Sequence, residues 1–196
     1  MTAERATFYF DLGSPYAYLT AERISGLFTD AGLEQPEWQP ILLGGLFQRF
    51  GRDSWANGPE RDDGIAEVER RAGAYGLPRL VWPDPWPGNT LVAMRAATFA
   101  KQTGRTVSFA LAAFRQAFAA GRDLTDGENV LIAAAACELH PNAVTKAVQT
   151  DVVKNALREA TDEAAERGVI GVPSLLVGDE VFWGDDRVDE AVAAAS

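Results

Sequence analysis

Gly171-Val172-Pro173-Ser174 is the stretch on which the fold turns. A proline opens the run Val172-Pro-Ser-Leu-Leu-Val177, and a β-branched residue stands before it. Proline is tolerated at the start of a strand, where no ladder N–H is needed. Gly178-Asp179 then marks a hairpin turn, although the usual order of the pair is reversed. Glu180-Val-Phe-Trp183 is the return strand. Gly184-Asp-Asp-Arg187 opens a last helix through Ala195, with Asp185 or Asp186 as its cap. The C-terminal quarter therefore reads strand–strand–helix.

The N-terminal quarter reads differently. Ala6-Thr-Phe-Tyr-Phe10 is a β-branched and aromatic strand run, followed by the turn Asp11-Leu-Gly-Ser14. Pro15 to Ile24 reads as a helix, with Gly32 as a plausible end. Ser14 is a natural N-cap, and Pro15 suits the first helical position because its missing N–H is not needed there. Trp38 to Leu43 is a second strand, limited by Pro40 to an irregular or edge role. Between the two quarters lies a helical region. Its candidate helices are Asp62–Tyr75, Asn89–Gln102, Val107–Ala120, Glu128–Leu139, and Pro141 to Arg167 with a break. Gly76 to Gly88 carries Pro78, Pro83, Pro85 and Pro87 with Trp82 and Trp86, and reads as a rigid loop. Its tryptophans serve either surface packing or the wall of a pocket.

Composition narrows the function. The 196 residues suit one domain, or one domain with a large insertion. Eighteen basic against 28 acidic residues give a net charge of −10, which argues against a nucleic-acid binder and against an anionic membrane surface. One cysteine, Cys137, excludes an internal disulfide, a CxxC pair and a multi-cysteine zinc site, so no metal is expected. Cys137, amid small apolar residues, reads as a buried hydrophobe, and the one histidine, His140, as structural or solvated. A single thiol and no visible targeting signal fit the cytoplasm.

Strand–helix–strand, then helices, then strand–strand–helix is the plan of an α/β thioredoxin-like fold with a large all-helical insertion between its βαβ and ββα halves. The expected division is residues 1–44 and 169–196 for the thioredoxin-like domain and 45–168 for the insertion. Phe8-Tyr-Phe-Asp-Leu-Gly-Ser14-Pro-Tyr-Ala-Tyr-Leu19 resembles the opening of the 2-hydroxychromene-2-carboxylate isomerases and of the kappa-class glutathione transferases, in the DsbA-like branch of that fold. Glu163 to Pro173, Val181 to Arg187 and Pro87 to Ala97 resemble three further signatures of these families. The resemblance spans nearly the whole chain. It also carries the expectation of a cis Val172–Pro173 bond, since only about 5–6% of X–Pro bonds are cis.

The resemblance implies a glutathione-dependent isomerase, with glutathione or another low-molecular-weight thiol as cofactor. Ser14 stands where redox relatives carry the first cysteine of CxxC; here the four residues are Ser14-Pro15-Tyr16-Ala17, so disulfide exchange is excluded. A serine hydroxyl at a helix N-terminus favours an anion such as a thiolate. A free thiol of pKa about 8.5 is only about 3% ionised at neutral pH. Lowering that by about two units asks for roughly 2.7 kcal/mol. The backbone of Val172 would meet the cysteinyl part of the thiol as an added strand. Trp183, Gly184, Asp185 and Asp186 would meet its γ-glutamyl end.

On the substrate side the resemblance points to Asn89, which serves either as a helix cap or as a donor to an aromatic carboxylate. Arg95 either faces the same pocket or pairs with a surface acid. Two departures stand out. Gln48 and Arg52 replace the family's lysine and Gly-Asn after the second strand, and an acidic, arginine-bearing segment around Arg61–Arg71 replaces a tyrosine- and lysine-containing one. Lys101, Lys146 and Lys154 lie outside the matching segments, so Arg49, Arg52 and Arg95 are the candidate cations for the substrate, with Trp82 or Trp86 as a flat wall. A homodimer is a further expectation from the resemblance. The alternatives are a kappa-like transferase and, as a non-enzyme, a thioredoxin-fold binding module without its CxxC.

Overall fold

The computed structural model describes residues 5–196. Four strands, β1 (Thr7–Phe10), β2 (Glu37–Pro40), β3 (Ser174–Val177) and β4 (Glu180–Trp183), form one sheet in the order β2-β1-β3-β4. β1 pairs in parallel with β2, and α1 (Pro15–Asp30) supplies the crossover that a parallel pair requires. β3 pairs antiparallel with β1 and with β4. Gly178 has φ 58°, and a type II′ hairpin needs that sign at its first central residue, which explains Gly before Asp.

β1, an inner strand, has both faces buried, and the pleat divides its side chains. Phe8 and Phe10 join Trp38, Leu175 and Phe182 in the larger core, with α1 beneath. Tyr9 faces the opposite way, into a smaller core with Ile41, Leu46, Val172 and Leu176. The larger core continues without a break into the insertion: Phe10 lies 6.0 Å from Phe114, and Tyr18 stacks on Phe118 at 5.6 Å. The insertion thus shares its core with the sheet.

The inserted helices are α2 (Leu43–Phe50), α3 (Arg61–Ala74), α4 (Leu91–Gln102), α5 (Thr106–Phe114), α6 (Gly127–Ala136), α7 (Pro141–Ala147) and α8 (Asp151–Glu166); α9 (Val188–Ala194) closes the chain. Thr150 caps α8 and marks the break expected after Pro141. His140 caps α7, its Nδ1 accepting the Asn142 N–H at 3.2 Å. α8 returns across the face opposite α1, where Ala164 and Ala165 close the smaller core.

Two expectations are corrected. The second strand stops at Pro40 rather than Leu43, because tertiary partners take the backbone donors that would extend it. Leu42 N–H goes to Thr161 Oγ1 at 3.0 Å and Leu43 N–H to Asp11 Oδ2 at 2.9 Å, and α2 begins there. The last helix begins at Val188, after a short 3₁₀ turn over Asp185–Arg187. Neither aspartate caps α9, whose N-cap is Arg187 with no side-chain bond.

Candidate functional site

The sheet register decides where the site lies. Tyr9 pairs with Ser174, so the chain leaving β1 through Ser14 emerges beside the Val172–Pro173 loop that enters β3. The Val172–Pro173 bond is cis. A cleft of about 570 Å³ opens there, lined by Asp11, Ser14, Tyr16, Arg52, Trp55, Arg71, Trp86, Thr90, Val172 and the stretch Trp183–Asp186 among others.

Ser14 is 4% exposed. Its oxygen accepts the Ala17 N–H at 3.2 Å, while its own hydrogen has no acceptor among the described residues. Pro15 has no N–H, and the Tyr16 N–H is one of the first-turn donors that a helix leaves without an internal partner. The end of α1 therefore offers the cleft one hydroxyl donor, one amide donor and the positive end of the helix dipole. Across from it, neither the N–H nor the C=O of Val172 is taken by another described residue. Trp183 covers that loop; a Cβ on Gly171 would come within 2.6 Å of its indole nitrogen. Arg52 is held there too, its guanidinium 4.9 Å from the Trp183 ring and donating to Ile170 O at 3.0 Å.

Asp11 ties this arrangement together. One carboxylate oxygen accepts Gly13 N–H at 2.8 Å and the Thr90 hydroxyl at 3.1 Å, and the other accepts Leu43 N–H. It joins the β1–α1 loop to the starts of α2 and α4. Burial pushes its carboxyl above the ordinary carboxylate range, against the pull of those donors.

The third wall comes from α3. Arg71 reaches Asp185 Oδ1 at 2.7 Å and lies 3.7 Å from Asp186, while the Tyr75 hydroxyl donates to Asp185 Oδ2 at 2.8 Å. Burial leaves the Asp185 carboxyl above the ordinary carboxylate range, against the pull of the Tyr75 and Arg71 donors, one on each oxygen. Glu67, Asp185 and Asp186 hold the proton on Arg71 against its own burial.

Seven of the ten residues picked from sequence thus line one cleft: Ser14, Arg52, Val172, Trp183, Gly184, Asp185 and Asp186. Three do not. Asn89 is exposed and turned back on its own helix start, its Oδ1 accepting Leu91 N–H at 3.0 Å. Its neighbour Thr90 faces the cleft instead. Arg49 points to α8, 3.4 Å from Asp162. Arg95 lies a full turn along α4, where only the start of that helix reaches the cleft. Trp86 lines the cleft and Trp82 stands behind it, the ring centres 4.6 Å apart. Sequence reasoning missed Asp11, Tyr16, Trp55 and Arg71. Asp11 sits inside the quoted opening stretch but read as a turn residue, and Arg71 inside the segment that departs from the family.

A thioredoxin-like frame with a serine at the N-terminus of its first helix, facing a cis-proline loop, defines a member of that fold without redox sulfurs. The chain belongs to the DSBA-like thioredoxin domain family, whose model matches residues 6–195. It is 29% identical to the 2-hydroxychromene-2-carboxylate isomerase of Sphingobium xenophagum, over 93% of each chain. It is 27% identical to the protein of the same name from Pseudomonas putida, covering 92% of this chain and 89% of that one. A solved 2-hydroxychromene-2-carboxylate isomerase superposes with a TM-score of 0.86 at 25% identity, over 96% of this chain and 93% of the other. A probable DsbA oxidoreductase from Streptomyces coelicolor shares the fold, with a TM-score of 0.74 at 20% identity over 97% and 89%. Among the described residues no helix is long and apolar enough to cross a membrane.

Proposed function

We propose that the chain is a thiol-dependent isomerase of the 2-hydroxychromene-2-carboxylate type, acting on an unsaturated aromatic carboxylate with glutathione or another small thiol. Relatives matched over nine-tenths of the chain carry the isomerase name, which supports the reaction class. The observation that carries the thiol is Ser14: a buried hydroxyl with a free hydrogen, at a helix N-terminus, opposite an unpaired backbone edge at Val172.

Bound there, the thiol supplies a sulfur nucleophile that adds to a conjugated system and leaves again, so that a bond can rotate with no net redox change. The protein's part is electrostatic and positional. Ser14 Oγ donates toward the sulfur position, and the α1 terminus favours its anionic form. Val172 offers a strand edge for the peptide part of the thiol. Arg52, which lines the cleft and donates to a carbonyl rather than to a carboxylate, supplies the cationic side that anionic ligands need in a chain of net charge −10, while the charge of Arg71 is already met by Glu67 and Asp185. Asp185 fits a different role from the one expected of it. Both its oxygens are engaged, so the ammonium of a γ-glutamyl group is left to Asp186 and the backbone turn.

The direct test is incubation with 2-hydroxychromene-2-carboxylate, with and without glutathione, while following the spectrum of the ring-opened product. Thiol-dependent conversion supports the proposal. Stable conjugation of a generic electrophile without conversion would move the assignment to a kappa-like transferase.

A further inference from the structure

Trp55 packs against a glycine. A Cβ built on Gly64, inside α3, would stand 2.3 Å from both Cε3 and Cζ3 of the Trp55 ring and 3.0 Å from Cδ2. The indole therefore packs on the bare backbone of α3, and any side chain at position 64 would drive it off. A glycine within a helix is otherwise unfavourable relative to alanine, so the helix itself gives no reason for one here.

Neighbouring rings close two further sides of Trp55. Tyr16, fixed in the first turn of α1, meets the Trp55 ring edge-on at 6.0 Å. Trp86 stands 5.4 Å away on another side. Trp86 is tied by its indole N–H to Gly13 O at 3.3 Å, and Arg61 donates to its carbonyl at 2.8 Å. Trp55 itself sits on a short 3₁₀ turn, Trp55–Asn57, between α2 and α3. With Gly64, Tyr16 and Trp86 around it and no hydrogen bond to its ring nitrogen among the described residues, the remaining side of Trp55 is the cleft.

We infer that Trp55, seated on Gly64, is a specificity-determining residue: its position sets the width of the slot beside Ser14 that takes the aromatic part of the electrophile. The inference rests on the thiol-dependent reading above for the name of the ligand, but not for the position of the ring. Displacing the indole narrows the slot for a flat ring and leaves the peptide-binding side, around Val172 and Asp186, as it was. Apolar slots of this kind discriminate by shape, with about 10–200-fold per misfit group.

The experiment compares wild type, Gly64→Ala, and the double variant Gly64→Ala with Trp55→Phe, by calorimetric titration with S-methylglutathione and S-(2-naphthylmethyl)glutathione. Gly64→Ala is expected to weaken the naphthylmethyl conjugate by about tenfold or more and the methyl conjugate by less than about twofold. The smaller ring in the double variant restores most of the lost affinity. A crystal structure of Gly64→Ala should show Trp55 turned into the cleft. Equal weakening of both conjugates, no rescue by Trp55→Phe, or a shifted α3 under an unmoved Trp55 would each overturn the inference. If the wild type binds neither conjugate, the thiol reading fails. The slot is then judged with 2-naphthoate against acetate, where the same selective loss and rescue are expected and a uniform loss refutes it.

Discussion

The two sides of the cleft are built in different ways. On the sheet side, Ser14 and Val172 present backbone groups and one hydroxyl, placed by the β1–β3 register and by the start of α1. On the insertion side, Trp55, Arg71 and Trp86 present large side chains, placed by contacts with one another and with the sheet side. The first arrangement depends on chain geometry and on one side chain, Ser14. The second holds only while particular side chains are present. The frame thus sets where a thiol anion would sit, and the insertion sets what lies next to it.

The largest expected effect comes from cutting the tie between the two sides. Arg71→Leu leaves Asp185, 1% exposed, with the Tyr75 hydroxyl as its one side-chain donor. Removing one partner of a buried pair costs about 3–5 kcal/mol, and the partial exposure of Arg71 brings this to about 2 kcal/mol. Chemical denaturation should read that loss, and ligand affinity should fall with it. Unchanged stability would mean that the insertion docks without this pair.

Asp11 is the next tie. Asp11→Asn turns one acceptor into a donor facing N–H and O–H groups, at about 1–2 kcal/mol in acid. The pH dependence has a definite sign. Because burial raises the folded pKa above 3.8, the folded chain binds more protons than the unfolded one between 3.8 and that raised value. Wild-type stability from this group is full below 3.8 and is lost as pH rises through the folded pKa. Asn does not titrate, so the cost of the substitution should shrink from acid to neutral pH. Denaturation midpoints at several pH values measure it, and a cost that grows with pH would refute the assignment.

Ser14→Ala tests the sheet side alone. It is expected to cut turnover more than about tenfold, equivalent to about 1.4 kcal/mol, and to raise the apparent pKa of bound thiol. Loss of the N-cap bond adds about 1 kcal/mol of instability. An unchanged thiol pKa would remove the role given to the hydroxyl. The smallest effect belongs to Cys137, 5% exposed and donating to Ala134 O at 3.2 Å, with burial pushing its thiol up. Cys137→Ser should leave turnover unchanged and lower stability by less than about 1 kcal/mol. An essential Cys137 would place the reacting sulfur in the protein.

Much of this contrast was legible along the chain. The sheet side lies in two short stretches whose spacing carries their structure: Ser14-Pro15 at a helix start and Val172-Pro173 at a strand start. The insertion side was not legible in the same way. Asn89 rests on the resemblance and Arg49 and Arg95 on their charge, and each is turned away by what neither reveals: a bond to the Leu91 N–H for Asn89, a distant acid for Arg49 and the helical phase for Arg95. α2 was hidden by Gly44 and Gly45, and its start is set by the Asp11 and Thr161 side chains, which take the Leu43 and Leu42 amides.

The sequence by itself determined the α/β plan, the serine in place of a redox cysteine and the proline at the strand start, because turn chemistry, capping and apolar period are properties of neighbours along the chain. Tertiary structure alone decided that Asp185 pairs with Arg71 and Tyr75 instead of capping α9 or waiting for a ligand. It likewise decided that Asp11 is a strut, that Thr90 rather than Asn89 faces the cleft, and that Trp55 rests on Gly64. In each case the partner lies far along the chain, and what selects it is the desolvation of a buried carboxylate or the fit of a ring against bare backbone.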